Sequence, residues 1–111
     1  MNPNDSDFKF QLSGFGEVDE AAKDEASKLI IKHRQRLMEH ALELNDVHVD
    51  LKTIHKREKG ELYEVHVRIK DKGKFFVSEV HDRNLFAAID SGLTKVIHEL
   101  EHHNGKLKEK G

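Results

Sequence analysis

The sequence predicts an α+β domain with the element order β-α-β-β-β-α, in which two helices pack on one face of a four-stranded sheet. Two hydrophobic periods and one turn signal support this prediction. Apolar and polar residues alternate in three segments between residues 47 and 80, as in half-buried strands. In residues 22–44 and 85–100, apolar residues recur every three or four positions, as in amphipathic helices. Between two of the strand segments, Asp71-Lys72-Gly73 predicts a tight hairpin.

The N-terminal part supplies the first strand and the first helix. Residues 1–7 are polar and predict a flexible tail, which leaves residues 8–111 for a single domain. The first strand is predicted by alternating apolar residues: Phe8, Phe10 and Leu12. The acidic segment 17–25 suits the positive end of a helix. We expect that helix to run unbroken until Asn45-Asp46 ends it.

The next three strands are predicted to have one apolar and one polar face. The residues expected to face the core are Val47, Val49, Leu51, Tyr63, Val65, Val67, Ile69, Phe76, Ser78 and Val80. The residues expected on the open face are His48, Lys52, His66, Arg68, Lys70, Phe75 and Val77. Because two helices can cover only one face of the sheet, the second face should remain polar.

The last helix is predicted to begin after Asn84, a residue that favours the N-cap position. Its inward stripe comprises Leu85, Ala88, Ile89, Leu93, Val96, Ile97 and Leu100. Ala88 lies on this stripe, whereas Ala87 lies nearer the rim. Gly105 is predicted to end the regular part of the helix.

Composition excludes several classes of function. With 111 residues, of which 36% are hydrophobic and 36% charged, the chain favours one thin, two-layer domain. The absence of cysteine excludes disulfides, thiolate zinc sites and thiol nucleophiles. No apolar run approaches the roughly 20 residues of a membrane span, so we expect a cytoplasmic protein. The net charge of −2 does not by itself indicate nucleic-acid binding, although a local basic patch could still support it.

The last third of the chain resembles a known family. The run Phe86-Ala87-Ala88-Ile89-Asp90 is followed by Lys95, an amphipathic segment and a basic end at Lys106-Leu107-Lys108. This pattern resembles the short hibernation promoting factors and ribosome-associated inhibitors, also known as ribosomal subunit interface proteins. The segment Val47-His48-Val49-Asp50-Leu51-Lys52 resembles their second strand. The resemblance implies a stress or stationary-phase translation inhibitor that occludes the mRNA/tRNA channel of the small ribosomal subunit, with no catalysis and no cofactor.

The resemblance also implies a set of residues that contact ribosomal RNA. The matching positions on the two helices are Lys28, Lys32, Lys95, His98, His102, Lys106 and Lys108. His98 and His102 stand where the family usually has basic residues, and a neutral histidine releases no counterion from RNA. Binding should therefore strengthen when these histidines gain a proton. The alternative is a divergent member that acts as a protein–protein interaction or stress module.

One motif suggests a third class, a metal-dependent hydrolase. His98-Glu99-Leu100-Glu101-His102 fits the zinc-protease pattern H-E-x-x-H. Only nine residues follow His102, so a third downstream ligand has little room. A solvated helix face is therefore favoured, and neither a metal nor a catalytic residue is expected. His98, His102 and His103 could still capture a metal without any function.

Three further features leave alternatives open. The hairpin tip at residues 56–60 is either a solvated turn or a phosphate-contacting finger. Phe75 is a base-stacking platform, a dimer contact or an isolated exposed residue. His33 lies on the apolar stripe of the first helix, which favours a partly buried, hydrogen-bonded histidine. His48 and His66 are expected to be cross-strand neighbours on a polar surface.

Overall fold

The structure, a computed structural model, describes residues 9–56, 58 and 60–110, and side chains in the last helix as far as residue 105. The predicted tail, residues 1–7, lies outside the described residues, as does Phe8. The elements in chain order are β1 (Gln11–Ser13), α1 (Glu20–Lys32), α2 (Arg34–His40), β2 (Leu44–Lys56), β3 (Gly60–Asp71), β4 (Lys74–Asp82) and α3 (Leu85–Lys110). The predicted α+β class and its order are confirmed, with the first helix divided in two.

The four strands form one sheet in the order β1-β2-β3-β4. β1 runs parallel to β2, and the other neighbours are antiparallel. The hairpin between β3 and β4 turns at Lys72 and Gly73, whose φ angles are 48° and 81°. Positive φ at both positions is the requirement of a type I′ turn, so the predicted tight hairpin is confirmed.

The core lies between the sheet and the helical layer. The strand residues predicted to face inward are buried or half-buried, and Phe75 and Val77 are exposed on the open face, as predicted. α3 packs over β3 and β4, and it also contacts α1 and α2. Ala88 is fully buried whereas Ala87 is exposed, which agrees with the predicted rotation of α3.

Two glycines permit close backbone approach. Gly14 has a φ of 78°, and a Cβ there would lie 1.8 Å from the carbonyl oxygen of Leu51. Only glycine therefore fits the turn between β1 and α1. A Cβ at Gly92 would lie 2.9 Å from Cγ2 of Val67. Here α3 comes close to the sheet, and the Ser78 hydroxyl on β4 donates a hydrogen bond to the Gly92 carbonyl oxygen at 2.7 Å.

The predicted unbroken first helix is wrong at His33. α1 starts after Asp19, whose carboxylate accepts a hydrogen bond from the Ala22 amide at 2.7 Å. At His33 the amide bonds to the Ile30 carbonyl oxygen, which is a tighter, 3₁₀-type closure. The buried His33 side chain contacts Asp90 of α3, with 2.7 Å between Nε2 and Oδ1. Neither glycine nor proline marks this break in the sequence.

The predicted end of the first helix at Asn45-Asp46 is also wrong, because α2 ends at His40 and β2 already begins at Leu44. The buried carboxylate of Asp71 accepts hydrogen bonds from the amides of Leu42, at 3.0 and 3.1 Å, and Glu43, at 2.6 Å. The chain therefore turns away from the helix, because a side chain at the end of β3 holds its amide groups.

The same carboxylate also accepts a hydrogen bond from the C-terminal half of α3. The buried Asn104 side-chain amide donates to Asp71 Oδ2 at 3.0 Å and to the His40 carbonyl oxygen at 2.6 Å. We name Asp71 and Asn104 the polar clasp. α3 continues through Gly105 to Lys110, so the predicted end at Gly105 is wrong. The predicted N-cap is confirmed, since Asn84 Oδ1 accepts a hydrogen bond from the Ala87 amide at 2.9 Å.

Candidate nucleic-acid interface

The predicted RNA-contacting residues whose side chains are described fall into two groups. The first group lies on α1 and the second on the middle of α3. Lys106 and Lys108 lie within the bounds of α3, but their side chains are outside the described residues. Each of the two groups lines a groove of its own.

The first groove lies between α1 and the start of α3, and we name it the α1 groove. It has a volume of about 360 Å³ and is lined by Glu25, Lys28, Leu29, Lys32 and Phe86. Lys28 forms an exposed ion pair with Glu25 at 3.4 Å. Lys32 forms no ion pair among the described residues. Phe86 is 39% exposed, so an aromatic ring stands beside two lysines.

The second groove lies between α3 and the outer strand β4, and we name it the β4-edge groove. It has a volume of about 410 Å³ and is lined by Val77, Ser78, Glu79, Lys95, His98, Glu99 and His102. Lys95 forms no ion pair within the described part of the chain. The groove therefore brings together three predicted residues: Lys95, His98 and His102.

The two grooves lie on opposite flanks of α3. Lys95 follows Phe86 by nine residues, which is about two and a half turns of an α-helix. Their side chains therefore leave α3 in opposite directions, Phe86 toward α1 and Lys95 toward the edge of the sheet. The structure thus keeps Lys28 and Lys32 apart from Lys95, His98 and His102.

The two acidic residues beside His98 and His102 have different surroundings. Glu101 lies 3.9 Å from Arg36 and 3.8 Å from His40, both on α2. It is therefore turned toward the neighbouring helix. Glu99 lines the β4-edge groove, as does Glu79. Two carboxylates thus offset the positive charge of Lys95 while both histidines are neutral.

The structure does not assemble a zinc-protease site at the H-E-x-x-H motif. Among the described residues, the only side chains that form a group of three possible metal ligands within 4.8 Å are Glu64, His66 and Glu79. His98 and His102 are not in this group. His103 points elsewhere, because its ring packs edge-on against Phe76 with 5.6 Å between centroids. Among the described residues, His98, His102 and His103 do not form one group of metal ligands.

The remaining residues singled out in the sequence lie on the open face of the sheet and at the hairpin tip. His48 lies opposite Arg68, and His66 lies opposite Asp50, so the two histidines are diagonal rather than direct neighbours. The exposed ring of Phe75 has Arg68 and Lys70 above it, each 5.4 Å from its centroid. At the predicted hairpin tip, Arg57 and Lys59 lie outside the described residues.

Sequence reasoning missed a cluster of two histidines and two glutamates on the same face, which we name the His/Glu cluster. His66 Nε2 lies 2.8 Å from Glu64 and 3.5 Å from Glu79. His81 Nε2 lies 3.3 Å from Glu64 and 2.9 Å from Glu79. The pKa of Glu64 is lowered, chiefly by its hydrogen bond with His66 and despite some desolvation. The signal was present, because the two-residue turn at Lys72-Gly73 fixes these pairings.

Comparison with known proteins identifies the family. Residues 10–108 match the family described as Sigma 54 modulation protein / S30EA ribosomal protein. The chain belongs to this family. Membership confirms the resemblance noted in the sequence, and it identifies a ribosome-associated modulation protein. The S30EA family is generally non-enzymatic.

Two solved structures share the S30EA fold of this chain. The N-terminal domain of Protein Y from Thermus thermophilus has a TM-score of 0.56 and 20% identity, covering 86% of this chain and 97% of that one. A ribosomal subunit interface protein from Coxiella burnetii has a TM-score of 0.53 and 14% identity, covering 90% of this chain and 96% of that one. No sequence among curated proteins matches significantly. In the described part of the chain, no helix has the length and apolar character needed to span a membrane.

Proposed function

We propose that this protein binds the small ribosomal subunit and inhibits translation by occupying the channel for mRNA and tRNA. The contacts to ribosomal RNA come from the helical layer, and they include Lys28, Lys32, Lys95, His98, His102, Lys106 and Lys108. Inhibition is steric, requires no cofactor and operates in the cytoplasm during stress or stationary phase.

The observation that carries this proposal is the placement of exposed lysines in two grooves on opposite flanks of α3. A partner with a flat surface would reach one flank. A channel with RNA on several sides can contact both flanks at once, because phosphates surround the helical layer. The long stem of a lysine reaches a phosphate from a helix surface without a fixed geometry.

The α1 groove adds a feature suited to unpaired bases. Phe86 is partly exposed and lines this groove together with Lys28 and Lys32. An exposed aromatic ring can stack on a base, while nearby lysines neutralise the adjoining phosphates. This arrangement supports contact with single-stranded parts of ribosomal RNA rather than with a regular duplex.

Charge reversal in each groove tests the proposal. Lys32→Glu changes the α1 groove, and Lys95→Glu changes the β4-edge groove. Lys70→Glu, on the open sheet face, is a matched control with the same change in net charge. We expect both groove variants to bind 30S subunits more weakly in sedimentation and to inhibit cell-free translation less. Each lost phosphate contact should lower the slope of log affinity against log salt by about 1.

The variants that lose binding and inhibition show whether the partner contacts one flank of α3 or both. Loss in both groove variants, with Lys70→Glu unchanged, supports a partner that surrounds the helical layer. Loss in only one groove variant would contradict occupation of a channel. If all three proteins inhibit translation as the wild type does, the proposed RNA-binding set is wrong. In that case a protein–protein or stress role becomes the better explanation.

The β4-edge groove also predicts a dependence on pH. Histidine side chains generally gain a proton as the pH falls from about 7.5 to about 6. Protonation of His98 and His102 would add positive charge next to Glu79 and Glu99, so binding to 30S subunits should strengthen over this range. The double variant His98→Gln/His102→Gln should have a flatter profile in sedimentation. Identical profiles for the two proteins would exclude both histidines from the contact.

A further inference from the structure

We propose that the His/Glu cluster on the open sheet face binds one divalent transition-metal ion of the zinc type. The ligands are Glu64, His66 and Glu79, and His81 lies beside them in contact with both carboxylates. The four side chains project from the face opposite the helical layer, and of the four only Glu79 also lines the β4-edge groove.

The ladder between β3 and β4 fixes the positions of these three ligands and of His81. Glu64 lies directly opposite His81, and His66 directly opposite Glu79. Directly opposed residues have Cβ atoms about 4.5–5.5 Å apart, and alternate residues along a strand are about 7 Å apart. The four side chains therefore stand at the corners of a small rectangle. Its geometry is held by backbone hydrogen bonds rather than by a loop.

One ligand atom from each of Glu64, His66 and Glu79 lies within 4.8 Å of the other two. Each histidine presents Nε2 to both carboxylates, with N···O distances of 2.8, 3.5, 3.3 and 2.9 Å. A zinc ion with bonds of about 2.0–2.1 Å to its ligands requires about 3.3–3.4 Å between neighbouring ligand atoms. His66 Nε2, at 2.8 and 3.5 Å from the two carboxylates, therefore lies close to the spacing that one ion requires, whereas His81 contacts the other oxygen of each carboxylate.

The charges in the His/Glu cluster also suit such an ion. Two carboxylates and two neutral imidazoles carry a charge of −2, which a divalent cation cancels. Around the cluster, Lys52 lies opposite Glu64 and Asp50 lies opposite His66 on β2, so the nearest charges on that side balance each other. Imidazole and carboxylate ligands together favour zinc over magnesium or calcium, which prefer oxygen ligands alone.

Zinc titration of the untagged, metal-free protein by isothermal calorimetry tests this site. We expect saturation near one zinc ion per chain. The double variant His66→Gln/His81→Gln should lose more than about tenfold in affinity, since even outer-shell changes cost about 10–100-fold. Glu79→Gln, which keeps the side-chain shape, should also weaken binding. Circular dichroism of the metal-free variants checks that each one folds.

The histidine pair on α3 provides the competing explanation. Spaced by four residues on one exposed helix face, His98 and His102 could capture zinc adventitiously. The variant His98→Gln/His102→Gln is expected to bind zinc as the wild type does. A loss of affinity in this variant but not in His66→Gln/His81→Gln would overturn the proposal. An absence of saturable zinc binding in the wild type would overturn it equally.

Discussion

Replacement of the buried Asp71 by alanine is expected to destabilise the domain strongly. Asp71 is 3% exposed. Its carboxylate accepts hydrogen bonds from the backbone amides of Leu42 and Glu43 and from the side-chain amide of Asn104. These bonds join three places in the chain: the segment just before β2, the end of β3 and the C-terminal half of α3. Asp71→Ala removes all of them at once.

The expected loss of unfolding free energy depends on whether each hydrogen-bond donor finds another acceptor after the substitution. Hydrogen bonds to a charged group contribute about 1.5–3 kcal/mol each. Leu42 and Glu43 are exposed residues, so water can reach their amides and recover part of the loss. Asn104 is buried, but it keeps its bond to the His40 carbonyl oxygen. We therefore expect about 3 kcal/mol out of a total stability of about 5–15 kcal/mol.

Thermal unfolding followed by circular dichroism measures this effect, with Asp46→Ala as the matched control. Asp46 pairs with Arg68 at 3.6 Å near the surface, where an ion pair contributes at most about 1 kcal/mol. A loss of 3 kcal/mol should lower the melting temperature by about 10–20 °C. The amides of Leu42 and Glu43 should also exchange hydrogen faster. Equal melting temperatures for the two variants would refute the role of the polar clasp.

Two other substitutions test the packing of the core. Ala88→Leu should overpack the interface between α3 and the sheet and cost about 1–3 kcal/mol, whereas Ala87→Leu, at an exposed position, should melt close to the wild type. Greater damage at Ala87 in urea unfolding would mean that α3 is rotated. Gly14→Ala should prevent stable folding because its Cβ would lie 1.8 Å from the Leu51 carbonyl oxygen, while Gly16→Ala, with no atom within 4 Å, should be tolerated; comparable far-ultraviolet spectra from the two variants would contradict this.

The faces of the strands and of α3 were predictable because they depend on local periodicity. Alternation placed Phe76 inward and Phe75 outward, and the helical stripe placed Ala88 inward and Ala87 outward. The two-residue turn at Lys72-Gly73 also determined which residues of β3 and β4 are paired. The His/Glu cluster could therefore have been found from the sequence by applying that register to Glu64, His66, Glu79 and His81.

The ends and breaks of the first helical segment could not be predicted in the same way. The tight closure at His33 accompanies a contact with Asp90, and the end of α2 depends on Asp71. Each of these partners is distant in sequence, and no glycine or proline marks either position. Local propensity continues the helix through both positions, and the distant contacts that accompany the break and the end are known only once the chain has folded.

The same distinction between local sequence and tertiary packing applies to the candidate RNA contacts. The sequence by itself determined that Lys28, Lys32 and Lys95 lie on helices, because the spacing of the apolar residues around them predicts those helices. Only the tertiary structure decided that α1 packs beside Phe86 and that β4 lies beside Lys95. The spacing of residues along one helix fixes the angles between its own side chains, whereas the neighbour that each side chain meets is set by long-range packing of the whole core.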